Sequence, residues 1–129
     1  MGRTVTDHQR NNTNTLKAEV ILVTDCSWEG TKLAPYPQSQ PELTVIKITV
    51  PPHTTLDWHT HSVPNAGYLM EGTLTLENKL SGEKIVAQTG GALAETLNVA
   101  HRGITGESGA TLIVFYAGTN GLPLATPAP

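Results

Sequence analysis

Short runs of β-branched and apolar residues, each stopped by glycine or proline, leave this chain little choice but to fold as strands. LTVIKITV sends alternate side chains to two faces before Pro51-Pro52 ends it. AEVILVT, GYLMEGTLTLEN, EKIVAQ, ALAETLN and ATLIVFYAG repeat the pattern, with Lys79 to Gly82 and Gly90-Gly91 as turns. Apolar residues rarely recur at helical steps. Roughly eight short strands with turns about every 8–12 residues predict an all-β antiparallel sandwich or barrel.

At 129 residues the chain is the size of one domain. The polar, Asn- and Thr-rich residues 1–15 are read as a flexible arm, 16–120 as the barrel and 121–129, punctuated by prolines, as coil. The charge of -3 comes with no basic run, which argues against nucleic acid and acidic membrane surfaces as partners. One cysteine, Cys26, rules out an internal disulfide framework and suits a reducing compartment. The opening MGRTVTDHQRNNTNT contains no apolar stretch, so the expected compartment is the cytoplasm.

The chemistry concentrates in WHTHSVPN. On a strand, His59 and His61 project from the same face, with Trp58 and Thr60 turned the other way. Such a pair can lie on a solvated face or grip a metal ion. A third histidine, His101 in LNVAHRG, favours the second reading if closure of the sheet brings it opposite. No Asp-His follows the pair, as a metallo-β-lactamase-like site would require, and the chain is short for an amidohydrolase barrel.

The region from about Thr44 to Gly118 resembles the cupin superfamily of double-sheet jelly-roll β-barrels. The first cupin motif is Gly, five residues, His-x-His, three or four residues, Glu, six residues, Gly. His59, His61 and Gly72 match it, while the opening Gly falls on His53 and the Glu on Asn65. The second motif is Gly, five residues, Pro-x-Gly, two residues, His, three residues, Asn. Gly90 and His101 match at the right separation, with Thr96, Asn98 and Thr105 at the Pro, Gly and Asn positions.

The resemblance implies a divalent transition metal on His59, His61 and His101, with iron or manganese expected and zinc or nickel able to take the site. Asn65 would be a weak neutral fourth ligand. Glu95, six residues before His101, is the alternative carboxylate, as ligand, as catalytic acid/base, or as a solvated charge. The expected function is a metal-dependent enzyme of the dioxygenase or isomerase kind, acting on a small oxygen-bearing substrate. The alternative is a binding or sensing module without turnover, since fold alone does not imply activity. A homodimer is expected, with Trp28, Tyr36 and APYPQSQP strapped across a sheet or a partner subunit.

Overall fold

Alternation in the longest runs becomes a two-layered wrap of antiparallel strands. The computed structural model describes residues 3–5, 15–95 and 97–129; Thr96, at the Pro position of the second motif, lies outside the described residues. The strands are β1 (Arg3–Val5), β2 (Ala18–Val20), β3 (Pro41–Val50), β4 (His59–Thr60) and β5 (Asn65–Asn78). They continue with β6 (Lys84–Gln88), β7 (Ala92–Leu93), β8 (His101–Ile104), β9 (Ala110–Thr119) and β10 (Thr126–Pro127). No helix occurs among the described residues, so none there is long and apolar enough to cross a membrane.

Strand β5 organises the rest because it belongs to both layers. Its first part, through Gly72, pairs with β9 and, at Gly67 and Tyr68, with β7. From Thr73 onward it pairs with β6 and β8. A register shift between Leu69 and Glu71 bends the strand at the crossing. Gly72 sits there at φ 79°, and a side chain would run into the Gly109 carbonyl, so glycine is required twice over. One layer is thus β3, β9, β7 and the start of β5; the other is β6, β8, β4, β10 and its end.

The inner faces supply the core. Leu69, Leu74, Leu76 and Ala110 form one buried cluster, and Val63, Val114 and Tyr116 another. Along β3 the side chains of Ile46 and Ile48 turn inward while Leu43, Val45 and Lys47 face out, the period-two pattern read from LTVIKITV. Trp28 acts as the strap expected of it: its ring packs on the first cluster and its main-chain N–H donates to the Ala94 carbonyl at 2.9 Å. Tyr36 is exposed instead.

Several strand boundaries differ from the sequence reading, for one reason: a strand runs only as far as it has a partner. AEVILVT is strand only over Ala18–Val20, where Arg3–Val5 lies alongside, and ALAETLN only over its first two residues. Conversely, Arg3–Val5 falls within the segment read as an arm, and Thr126–Pro127 within that read as coil, where it pairs with β4.

The two motif positions that lack glycine keep glycine's backbone. His53 and Asn98 have φ of 54° and 62°, the two non-glycine residues in the left-handed region among the described residues. Asparagine tolerates that region well, and histidine better than most. Thr105, at the motif's Asn position, ties the preceding loop down: its hydroxyl donates to the Pro51 carbonyl at 2.6 Å and accepts the Thr54 N–H at 2.9 Å.

His53 is exposed, so substitutions there report on backbone conformation with little packing change. His53→Gly is expected to unfold at a higher denaturant midpoint than His53→Val. The difference should be about 1–2 kcal/mol, because a β-branched residue is strained at positive φ. Urea titration of both variants measures it.

Candidate metal centre

Strand β4 is two residues long, yet it settles the geometry. His59 stands directly opposite His101 across the β4–β8 pair, so both rings leave the same face of the sheet. His61 follows two residues later, held by a bridge to Leu97 and by the Asn98 N–H donating to its carbonyl at 2.8 Å. The ring centroids are 5.0 Å (His59–His61), 4.5 Å (His59–His101) and 4.9 Å (His61–His101) apart. Trp58 is turned away, as alternation requires, and stacks beneath the Arg102 guanidinium at 4.1 Å.

Each ring is oriented from behind by a main-chain carbonyl. His59 Nδ1 lies 3.0 Å from the Asp57 carbonyl oxygen, His61 Nδ1 2.8 Å from that of Leu124, and His101 Nδ1 2.9 Å from that of Val99. A carbonyl only accepts, so each Nδ1 carries a proton and each neutral ring presents a bare Nε2. Asp57 therefore serves through its backbone, and its side chain is not the orienting group. The Leu124 contact comes from 63 residues downstream in a proline-rich tail, and nothing in the sequence signals it.

Glu95 faces the same focus and not the solvent. Its oxygens lie 3.3 Å from His61 Nε2 and 3.0 Å from His101 Nε2. Those two nitrogens are buried, and their angles to the carboxylate do not make hydrogen bonds. Lone pairs on nitrogen and oxygen brought this close repel unless a cation lies between them. One ligand atom from each of His59, His61, Glu95 and His101 can be chosen so that all four lie within 4.8 Å of one another. Opposite ligands on an ion bonded at about 2.1 Å are about 4.2 Å apart, so the group suits a transition metal after small shifts.

Asn65 is at the first cupin motif's carboxylate position but turns its amide to the main chain. Its Oδ1 accepts the Glu95 N–H at 3.3 Å and its Nδ2 donates to the Val63 carbonyl at 3.4 Å. It is buried, and its contact is with the backbone of the residue that carries the carboxylate. Tyr68 lines the adjoining cavity, and Tyr116, 5.6 Å from the His61 ring, does so from β9. Tyr116 was legible in principle: Leu112, Val114 and Tyr116 are alternate residues of one strand. Glu71 and Cys26 stand apart from the group.

Burial and charge pull the protons of this group in opposite senses. Burial favours a neutral Glu95, but the His101 and His61 rings outweigh it and hold the carboxyl below the ordinary carboxylate range. Burial also disfavours a charged His101, yet Glu95 beside it raises the imidazole above its ordinary value. His59 is lowered, mainly by burial. Tyr116 is pushed up to about 12 by burial and the Glu95 charge, so its phenol stays protonated. Without metal, a proton on His101 is thus the cation that the arrangement demands.

No protein-family model matches the sequence, and no curated protein does. Among solved structures, the chain is similar to the polyketide cyclase RemF from Streptomyces resistomycificus. The identity is 17%, covering 71% of this chain and 63% of that one, at a TM-score of 0.59. It is also similar to a cupin-like protein from Thermotoga maritima (15% identity, 67% and 64% coverage, TM-score 0.58). Oxalate decarboxylase from Bacillus subtilis is a third (13% identity, 66% and 23%, TM-score 0.54). The matched region spans 63% and 64% of the first two chains, less than two thirds of either. At these identities the likeness is one of fold: the chain has the cupin-type jelly-roll architecture.

The proton shifts give a signed pH prediction. Glu95, lowered on folding, adds stability above about pH 4.3 that is lost as pH falls through its folded value. His101, raised, adds stability below about pH 6.5 that is lost as pH rises through its folded value, while lowered His59 acts in the opposite sense. A metal must displace the His101 proton. The rise in melting temperature on adding Zn²⁺ is therefore expected to be larger at about pH 7.5 than at about pH 5.5. Scanning fluorimetry measures it, and a shift indifferent to pH would remove the histidines from the ligand set.

Proposed function

We propose that this chain is a metal-dependent enzyme acting on a small oxygen-bearing substrate, with His59, His61, His101 and Glu95 as ligands of one divalent ion. The convergence of three carbonyl-oriented imidazoles and one carboxylate on a single focus carries the reading. Nitrogen-rich sites with a single carboxylate accept iron, manganese, nickel and zinc, and iron or manganese suits the dioxygenase- or isomerase-type chemistry that we favour. When bound, such an ion polarises a substrate oxygen and, if redox active, opens oxidation chemistry.

The chain's own residues have separable tasks in this reading. The three Nδ1–H donations hold the rings still, so metal binding requires little reorganisation. Asn65 takes no place among the ligands; by accepting the Glu95 N–H it sets the start of the segment that carries the carboxylate. Glu95 balances one charge of the ion and is the one carboxylate at the focus able to take a proton from a bound substrate. Leucine and valine side chains around the site exclude water and strengthen each of these interactions. One similar fold, the oxalate decarboxylase, is named for a reaction of a small oxygenated molecule, which supports this choice of substrate class.

Elemental analysis of protein purified without chelators is expected to find about one transition-metal ion per chain. Glu95→Gln should weaken Zn²⁺ binding by at least about tenfold in competition with a chelating dye. Metal retained at full affinity with turnover lost would instead make Glu95 a proton carrier outside the ligand set. Metal and ligand binding with no product from any diol or diketone would turn the enzyme into a binding module.

We also infer a homodimer through the outer face of β3 and β9. Leu43 and Val45 are 67% and 64% exposed, and Val45 lies opposite the exposed Phe115 across the strand pair. β3 has no partner on its far side among the described residues. Light scattering should give the mass of two chains for the native protein and of one for Val45→Glu, with metal content unchanged.

A further inference from the structure

The cavity beside the histidines carries a chemical bias beyond the metal centre itself. It measures about 120 Å³, a little under the roughly 150 Å³ of an apolar cavity that holds benzene. Away from the histidines its walls include the aliphatic Ile48, Leu56, Leu74, Leu93, Leu112 and Val114, together with Tyr68 and Tyr116. Its one charged non-histidine lining group is Glu95, and no lysine or arginine lines it among the described residues. Arg102, next to His101 in the chain, and Lys79 are committed elsewhere. Arg102 donates to Glu77 at 2.9 Å and covers Trp58, and Lys79 lies over the same ring and bonds the Pro129 carbonyl. Glu29, which accepts a hydrogen bond from Asn78, is a further acidic side chain that acts on His101.

Resting on the metal-centre reading above, we propose that the site selects small monoanions that offer two oxygens to the ion and an apolar body to the cavity, and rejects dianions. A divalent ion held by three neutral imidazoles and one carboxylate keeps a single net positive charge, which one anionic oxygen neutralises. A second carboxylate would have to enter a largely aliphatic cavity that offers the neutral phenols of Tyr68 and Tyr116 but no lysine or arginine, and a charge without a counter-ion is disfavoured there. The volume sets a companion limit: the apolar body has room for about six non-hydrogen atoms or fewer. 2-Hydroxy and 2-oxo acids with a branched aliphatic end, and the enolates of small diketones, have this form.

Two ligands of similar shape set an apolar end against a second charge. 2-Hydroxy-3-methylbutyrate and hydroxymalonate share the hydroxy-acid chelating group and differ by an isopropyl group in place of the second carboxylate. Each is titrated calorimetrically into the Zn²⁺-loaded full chain, with bound zinc assayed before and after, and into free Zn²⁺ in the same buffer. The protein is expected to bind 2-hydroxy-3-methylbutyrate at least about tenfold more tightly than hydroxymalonate. Free Zn²⁺ should show the opposite order, because the dianion is the stronger electrostatic partner in water. Hydroxymalonate binding the protein equally or more tightly, or neither ligand binding while zinc stays in place, overturns the selectivity and leaves the metal centre standing. Failure of the chain to take up zinc at all overturns the metal centre and the selectivity with it.

Discussion

Three hydrogen bonds from imidazole Nδ1 atoms to the carbonyls of Asp57, Val99 and Leu124 hold the rest of the site in place. They settle the tautomer, and the tautomer settles the chemistry: three bare Nε2 atoms turned to one point, beside a carboxylate, demand a positive charge there. A proton on His101 meets that demand in part, and a divalent ion meets it for all four groups at once. Two of the carbonyls lie two residues before the histidine they orient, so those contacts are local. The third reaches back from the C-terminal segment, which makes the pairing of Thr126–Pro127 with β4 part of the site's construction.

The barrel contributes by closing one strand over two layers. Because β5 crosses at Gly72, inner-facing residues of a single strand, Leu69 on one side and Leu74 and Leu76 on the other, wall the same cavity. Close approach of Gly72 to Gly109 brings the two ends of the crossing together where a side chain would hold them apart. The result is a mostly apolar pocket beside His59, His61 and Glu95, so electrostatic interactions there are weakly screened. On the proposed reading, an anionic ligand that enters would balance its charge at the bound ion.

Much of the fold was legible because period-two alternation and glycine or proline stops are local properties. β3, β5, β6 and β9 run where LTVIKITV, GYLMEGTLTLEN, EKIVAQ and ATLIVFYAG place them. The stretches AEVILVT and ALAETLN show the limit of that reading: the same residue types make strand only beside a partner, and partners are non-local. The site divides in the same way. His59 and His61 share a face by chain geometry alone, and the His53 and Asn98 departures prove conservative because both keep a left-handed backbone. The Asn65 position was legible as a motif place but not as a set of contacts. Its motif place suggested a ligand, whereas its amide supports the main chain from which Glu95 reaches inward.

By itself, then, the chain's residue order determined the strand-rich architecture, the histidine claw and the small set of groups able to complete it, since all of these follow from side-chain period, spacing and donor chemistry. Only tertiary structure decided that His101 stands opposite His59, that Glu95 is the carboxylate at the focus, and that no lysine or arginine among the described residues lines the cavity. Each of those depends on which segments become neighbours, and that choice is made by packing two sheets around one core.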